Sequence, residues 1–277
     1  MKKAILVGIN YKNSDLQLRG CINDVRNMTQ MLTTNFGFEK DNVKLLTEDD
    51  SITPTKTNII ENIVWLTKDT NPGDTLVFYY SGHGSFVKDT SGDEVDGKDE
   101  VLVPLDYESE GFISDDMLYN YLLQPLQAGV RVFLMTDCCH SGTLFDLKYN
   151  LNSVASHNTK EKPSTYNPSE WLDRYMLYQD NNKLRPNCDV VLLAGCMDNQ
   201  FSNDALLNKS FQGALTYCFL ETVKGFVENN DWSDKNVMKF KHLLKDVDCR
   251  LKVYGFLDQR SQLSTNRFST INDFFRL

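Results

Sequence analysis

The stretch that most constrains this chain is Arg131–Gly142, RVFLMTDCCHSG. Val132 to Met135 form an apolar run with a β-branched start, the pattern of a buried strand. The run turns polar at Thr136 and Asp137, and two cysteines, His140, Ser141 and Gly142 follow. A strand ending in a thiol among small, turn-forming residues presents that thiol at the carboxyl edge of a sheet, where open α/β sheets place their sites. A cysteine nucleophile needs a base nearby in space, usually from elsewhere in the chain. His140 is a poor candidate, because neighbouring side chains on a strand or turn diverge.

A second strand ends in a histidine. Asp74–Ser85 reads DTLVFYYSGHGS, with Leu76–Tyr80 a continuous β-prone run and His83 set between Gly82 and Gly84. The flanking glycines permit positive φ and close backbone approach.

The rest of the pattern is α/β. Ala4–Ile9 reads as a first buried strand, Gly20–Asn35 as a helix with Ile22, Val25, Met28 and Met31/Leu32 on one face, and Val43–Leu46 as a short strand. Thr53-Pro54 is expected to open a helix whose stripe is Ile59, Ile60, Ile63 and Leu66. β-α-β-α-β predicts a largely parallel sheet with helices on its faces. Further on, Val101–Pro104 reads as a short strand, Ser114 as the cap of a helix reaching Leu123, and Asp189–Ala194 as a buried strand. Gln212–Val227 and Lys235–Val253 read as amphipathic helices, and Asp146–Asn187 as a long, weakly periodic loop.

YSGHG at Tyr80–Gly84 followed by DCCHSG at Asp137–Gly142 resembles the catalytic pair of the metacaspases, caspase-like cysteine peptidases of clan CD, type I. The likeness runs from KKAILVGINY at Lys2–Tyr11 to QLS at Gln262–Ser264. It implies a single caspase-like α/β domain over 1–277, with a central, mostly parallel sheet, helices on both faces and a mobile loop at about 146–187. It also implies that Cys139, the cysteine directly before the motif histidine, is the nucleophile and His83 its base. The N–H groups of Gly84 and Cys139 are the candidate oxyanion donors. No Pro/Gln-rich leader precedes Lys2, so a form lacking the N-terminal prodomain is expected.

By the same resemblance Cys21, Asp24, Ser81 and Asp137 line the primary specificity pocket. Two carboxylates in one partly buried pocket suit a lysine ammonium or an arginine guanidinium. Cleavage after Asp would bring three carboxylates together, which is costly. The resemblance also implies Ca²⁺ held by Asp99, Asp115, Asp116 and Asp146, an oxygen-rich set suited to a hard cation. The local acidic run Asp89–Glu100 is no EF-hand, since its sixth position is Glu94 where that loop needs Gly. Cys-Cys-His has no spacing that points three side chains at one zinc ion. Within 146–187, Lys148, Lys160, Lys162, Arg174, Lys183 and Arg185 are candidate sites of self-cleavage.

Composition bounds the partners. The net charge of −9, from 29 Lys+Arg against 38 Asp+Glu, argues against nucleic acid and for basic peptides or cations. No apolar run approaches the ~18 residues a membrane helix needs. Seven cysteines without paired spacing predict a reducing, cytoplasmic setting rather than a disulfide framework. The expected partners are protein substrates with Arg or Lys before the scissile bond, and a monomer is expected by resemblance. The competing readings are a catalytically silent caspase-like scaffold and a peptidase cleaving after Asp.

Overall fold

The computed structural model describes residues 1–88, 98–138, 144–153, 175–180, 186–195, 204–207, 210–228, 238–273 and 275–277. Strands β1 (Lys2–Gly8), β2 (Val43–Thr47), β3 (Thr75–Ser81), β7 (Arg131–Asp137) and β10 (Asp189–Ala194) run parallel in the order β2-β1-β3-β7-β10. Strands β13 (Gln262–Thr265), β8 (Tyr149–Ser153) and β9 (Tyr175–Gln179) extend the sheet antiparallel to eight strands. Two small sheets sit beside it: β4 (Gly84–Lys88), β5 (Lys98–Leu102) and β6 (Ile113–Ser114), and the hairpin β11 (Asp204–Leu207) with β12 (Ser210–Gly213).

Helices cover both faces. Cores buried on two sides explain why the strands read as continuous apolar runs rather than alternating ones. In β3, Val77 and Tyr79 join one core, which is filled from helices α1 (Cys21–Asn35), α5 (Ala214–Glu228) and α6 (Phe240–Val253). Leu76, Phe78 and Tyr80 join the other, filled from α2 (Lys56–Thr67) and from the turn Tyr119–Leu123. β7 divides in the same way, with Phe133 and Met135 on one side and Val132 and Leu134 on the other. Burying each such side chain is worth roughly 1.5–3 kcal/mol.

Local signals set most boundaries. Thr55, not Thr53, caps α2, its side chain accepting from the Asn58 N–H at 3.3 Å. Pro54 therefore precedes the cap, where its missing N–H costs nothing. The short helix α3 (Tyr107–Glu110) ends at Gly111, whose φ of +72° suits glycine. Ser114 caps α4 (Asp115–Leu118) by accepting from the Met117 N–H, and the coil then widens into a π-type turn over Tyr119–Leu123.

The segment 146–187 departs from the expected loop, since β8 and β9 lie within it. They are paired to each other and, through β8, to β13. Residues 154–174 and 181–185 lie outside the described residues, and with them five of the six candidate self-cleavage positions. The sixth, Lys148, is only 4% exposed, with Nζ 5.4 Å from the Tyr149 ring centroid, so it is not presented for cleavage.

Candidate active site

β3 and β7 are paired in parallel with Ser81 directly opposite Asp137. His83 lies two residues beyond Ser81, and Cys139 two residues beyond Asp137. Neighbouring strands stand about 4.8 Å apart, so the register brings the ends of β3 and β7 to the same level at the carboxyl edge. Cys139 itself lies outside the described residues. Cys138 is the last described residue of the run; it is 1% exposed and packed in the same core as Tyr80 and Leu144.

His83 is braced at both ring and backbone. Its Nε2 lies 2.7 Å from the carbonyl oxygen of Leu16. A carbonyl only accepts, so this pairing assigns the proton to Nε2 and leaves Nδ1 of the neutral ring as the basic nitrogen. The ring of Tyr11 packs on the imidazole with centroids 4.9 Å apart. The Tyr11 hydroxyl accepts from the His83 N–H at 3.0 Å and donates to the Val103 carbonyl at 2.6 Å. The Tyr80 hydroxyl donates to the His83 carbonyl at 2.9 Å, and the Val103 N–H donates to that carbonyl at 3.2 Å. Tyr11 carries a φ of +48°, an uncommon conformation for a non-glycine residue, and is 2% exposed. Its packing and hydrogen bonds hold it there.

The flanking glycines serve other ends than positive φ, which neither adopts. A Cβ on Gly82 would come within 2.8 Å of the Tyr80 hydroxyl and 3.1 Å of the Tyr11 hydroxyl, so glycine is needed for the two phenols to close on His83. Gly84 opens β4 opposite Leu102, while the Val103 N–H bonds the His83 carbonyl. In that antiparallel register the Gly84–Leu102 pair is the non-bonded type, and the Gly84 N–H points away from β5. That direction suits the oxyanion role expected for it.

Cys21, Asp24, Ser81 and Asp137 are each less than 5% exposed, so the pocket residues are buried rather than partly open. Asp24 Oδ2 accepts from the Ser81 hydroxyl at 3.0 Å and from the Gly213 N–H at 2.9 Å. Asp137 Oδ2 accepts from the backbone N–H and the hydroxyl of Thr216, each at 2.8 Å. The Tyr79 phenol feels both carboxylates: burial, then Asp24 and Asp137, hold its pKa well above the usual range. Gly213 threads between the acids, for a Cβ there would stand 2.2 Å from Asp137 Oδ2 and 3.0 Å from Asp24 Oδ2. This hairpin end is held by the Asn23 amide of α1, which donates to the Phe211 carbonyl at 3.0 Å, and by the guanidinium of Arg19, just before α1, 5.0 Å from the Phe211 ring centroid. Gly213 and Thr216 escape sequence reasoning. They approach from the far end of the chain, and neither residue type signals a carboxylate partner.

The four aspartates expected to hold calcium come from three separate places: Asp99 on β5, Asp115 and Asp116 at the start of α4, and Asp146 beyond the cysteine segment. Asp115 is 5% exposed. Burial first, and then the charges of Asp146, Asp99 and Asp116, push its pKa up to about 7, against the lowering effect of the Asp116 N–H. That N–H donates to Asp115 Oδ1 at 2.7 Å. Asp146 adopts φ +50°. The donors are all carboxylate oxygens that repel one another, which fits a hard divalent cation. Among the described residues no three acidic, histidine or cysteine side chains stand close enough to share one ion, so binding requires them to draw together.

The fold is caspase-like. It superposes on a Geobacter sulfurreducens protein with a TM-score of 0.65 at 24% identity, covering 99% of this chain and 97% of that one. It superposes on Caspase-1 from Spodoptera frugiperda with a TM-score of 0.52 at 12% identity, covering 95% and 85%. Within that class, the family model for the metacaspase, peptidase C14 domain matches residues 2–148. Metacaspase-1 of Meyerozyma guilliermondii is 35% identical over 310 residues, covering 98% of this chain and 71% of the relative. Metacaspase-1 of Botryotinia fuckeliana is 38% identical over 252 residues, covering 80% and 60%. The chain belongs to the metacaspase family of caspase-like cysteine peptidases, and spans between 57% and 71% of the length of the first curated relatives it matches.

Proposed function

We propose that this chain is a calcium-activated cysteine endopeptidase that cleaves after Arg or Lys through Cys139 and His83. The observation that carries the reading is the β3–β7 register, which sets Ser81, two residues before His83, directly opposite Asp137, two residues before Cys139. The burial of Cys138 supports Cys139 as the reactive thiol.

In this reading Nδ1 of His83 takes the Cys139 thiol proton, and the thiolate sulfur attacks the scissile carbonyl carbon. The oxyanion is met by the Gly84 and Cys139 N–H groups. The imidazolium returns its proton to the leaving amine, a thioester remains, and water hydrolyses it with His83 again as base. The substrate's basic side chain pairs with Asp24 and Asp137. Bound Ca²⁺ would supply the charge that offsets carboxylate repulsion. Asp99, Asp115, Asp116 and Asp146 would hold it, and Asp146 thereby fixes the segment following Cys139. Protein substrates, a monomeric enzyme and a cytoplasmic setting complete the reading. The last is supported by the five buried cysteines among the described residues, none of which is in a disulfide. No helix of the described residues is long and apolar enough to cross a membrane.

The test is hydrolysis of fluorogenic peptides ending in Arg, Lys or Asp, with calcium or with EDTA. Turnover of the basic peptides only, and only with calcium, is expected. Turnover in EDTA removes the calcium switch, and preference for the Asp peptide removes the acidic pocket. Absence of turnover in a folded protein favours the scaffold reading.

A further inference from the structure

β1 and β2 pair in parallel, and their register ends with Gly8 opposite Thr47. One residue on, the Ile9 N–H donates to the Ser81 carbonyl at 3.0 Å, and the chain enters the loop that carries Tyr11 and Leu16. On the β2 side the pairing passes from backbone to a side chain. Glu48, the residue after β2, accepts from the Asn10 N–H through Oε2 at 2.6 Å and from the Lys12 N–H through Oε1 at 2.7 Å. Bonds of this kind, with an ionised acceptor, are short and roughly twice as strong as neutral ones.

The two N–H groups that Glu48 takes up flank Tyr11, the residue with φ +48°. Backbone N–H groups around a left-handed residue form a concavity that suits an anion. The base of the loop is closed by the Leu18 N–H, 2.8 Å from the Asn10 carbonyl, and by the Ile22 N–H of α1, 3.4 Å from Asn10 Oδ1. From Tyr11 the bonds run on toward the histidine. The Tyr11 carbonyl accepts from the Ser14 N–H at 3.2 Å and from its hydroxyl at 2.7 Å, and Ser14 Oγ accepts from the Leu16 N–H at 3.2 Å. The Leu16 carbonyl then meets His83 Nε2, while the Tyr11 hydroxyl meets the His83 N–H. One connected frame of hydrogen bonds thus leads from the Glu48 carboxylate to both the ring and the backbone of His83.

We propose that Glu48 is a positioning residue for His83: it holds Tyr11 in its left-handed conformation and thereby sets the two groups that fix the imidazole. Its effect on turnover rests on the Cys139–His83 reading above. Without the carboxylate the Asn10 and Lys12 N–H groups turn to water, and Tyr11 relaxes toward the negative φ that a non-glycine residue prefers. The Leu16 carbonyl then moves off Nε2, the neutral ring samples both tautomers, and Nδ1 is the basic nitrogen only part of the time. Asp24 and Asp137 are held by Ser81, Gly213 and Thr216, which lie outside this loop, so the pocket for the basic residue is left as it was.

The experiment compares Glu48→Ala, Glu48→Gln and Asp49→Asn with the parent in the full chain, by kcat and KM on an Arg peptide and by the ¹⁵N spectrum of the His83 ring, assigned against His83→Ala. Glu48→Gln is isosteric and keeps the test open if the alanine variant does not fold. Asp49→Asn removes a neighbouring exposed charge that pairs with Lys12 and Arg26, and is expected to match the parent. Glu48→Ala is expected to lower kcat about tenfold with KM within about twofold, and Glu48→Gln, which retains one of the two bonds, to lower it about threefold. The His83 ring is expected to be protonated at Nε2 in the neutral parent and mixed between nitrogens in Glu48→Ala. Parent-like kcat in both Glu48 variants, a KM rise as large as the fall in kcat, an equal loss in Asp49→Asn, or an unchanged His83 spectrum overturns the proposal. Absence of turnover in the parent counts against the Cys139–His83 reading instead, and the His83 spectra then decide the role of Glu48 alone.

Discussion

The imidazole Nε2 of His83 and the carbonyl oxygen of Leu16 stand 2.7 Å apart, which fixes the ring's orientation through a backbone atom from the loop after β1. Because the partner is a main-chain group, the side chain at position 16 is dispensable. Leu16→Ala is expected to keep turnover within about threefold of the parent, as surface substitutions usually change little. Peptidase assays on the purified variant check this.

Tyr11 is a different matter. Tyr11→Phe removes the acceptor of the His83 N–H and the donor to Val103 while leaving the ring contact. A buried donor left unsatisfied costs about 1–3 kcal/mol. Chemical denaturation is expected to show a loss in that range. Because the base is displaced but the pocket is untouched, kcat is expected to fall about tenfold with little change in KM.

The two adjacent cysteines are expected to separate cleanly. Cys138→Ala leaves the nucleophile in place and removes a buried thiol, so activity persists with a stability loss of about 1–2 kcal/mol. Cys139→Ala is expected to retain the parent's stability and lose turnover.

Asp115 gives a pH test with a definite sign. Its folded pKa of about 7 lies above the ordinary 3.8, so the native state holds the extra proton between those values. The group therefore costs no stability below about pH 4, and its penalty grows as pH rises and is complete above about pH 7. Without calcium, Asp115→Asn is expected to raise Tm at pH 8 and leave it unchanged at pH 4. Calcium is expected to stabilise the parent more at pH 8 than at pH 5.5, and to stabilise Asp115→Asn less. A calcium response independent of pH and of Asp115 contradicts the assignment.

Gly213 admits no side chain. A Cβ there meets buried carboxylate oxygens held by Ser81 and Thr216, so Gly213→Ala is expected to destabilise the fold and raise KM for Arg peptides together. Thr216→Val removes the hydroxyl's bonds to Asp137 and to the Tyr79 hydroxyl and retains the N–H bond to Asp137, at a cost of about 1–3 kcal/mol. Denaturation curves and KM values of the pair report whether the hairpin end and the basic-residue pocket are one structure.

Much of this architecture was readable from the chain. β1, β3, β7 and β10 are buried on both faces, and their runs such as LVFYY and VFLM show it directly. The His83 and Cys139 motifs fell at strand ends because a strand's polar break is local. β8 and β9 were not readable: YNLNS and YMLYQ mix polar and apolar residues, and their strand character comes from pairing with β13 and each other. The brace on His83 was hidden for a related reason. Leu16 acts through a carbonyl that every residue has, and Tyr11 and Tyr80 look like ordinary core aromatics. The donors to Asp24 and Asp137 come from positions 213 and 216, a separation no local pattern reports.

The central claim is that Cys139 is activated by His83 in a pocket that selects basic residues. The most direct measurement is mass-spectrometric mapping of the cysteine alkylated by an arginyl chloromethyl ketone in calcium, on the parent chain and on His83→Ala. The expected result is modification of Cys139 alone, with the rate in His83→Ala reduced at least about a hundredfold. Labelling of Cys138, or equal labelling of Cys139 without His83, would contradict the account.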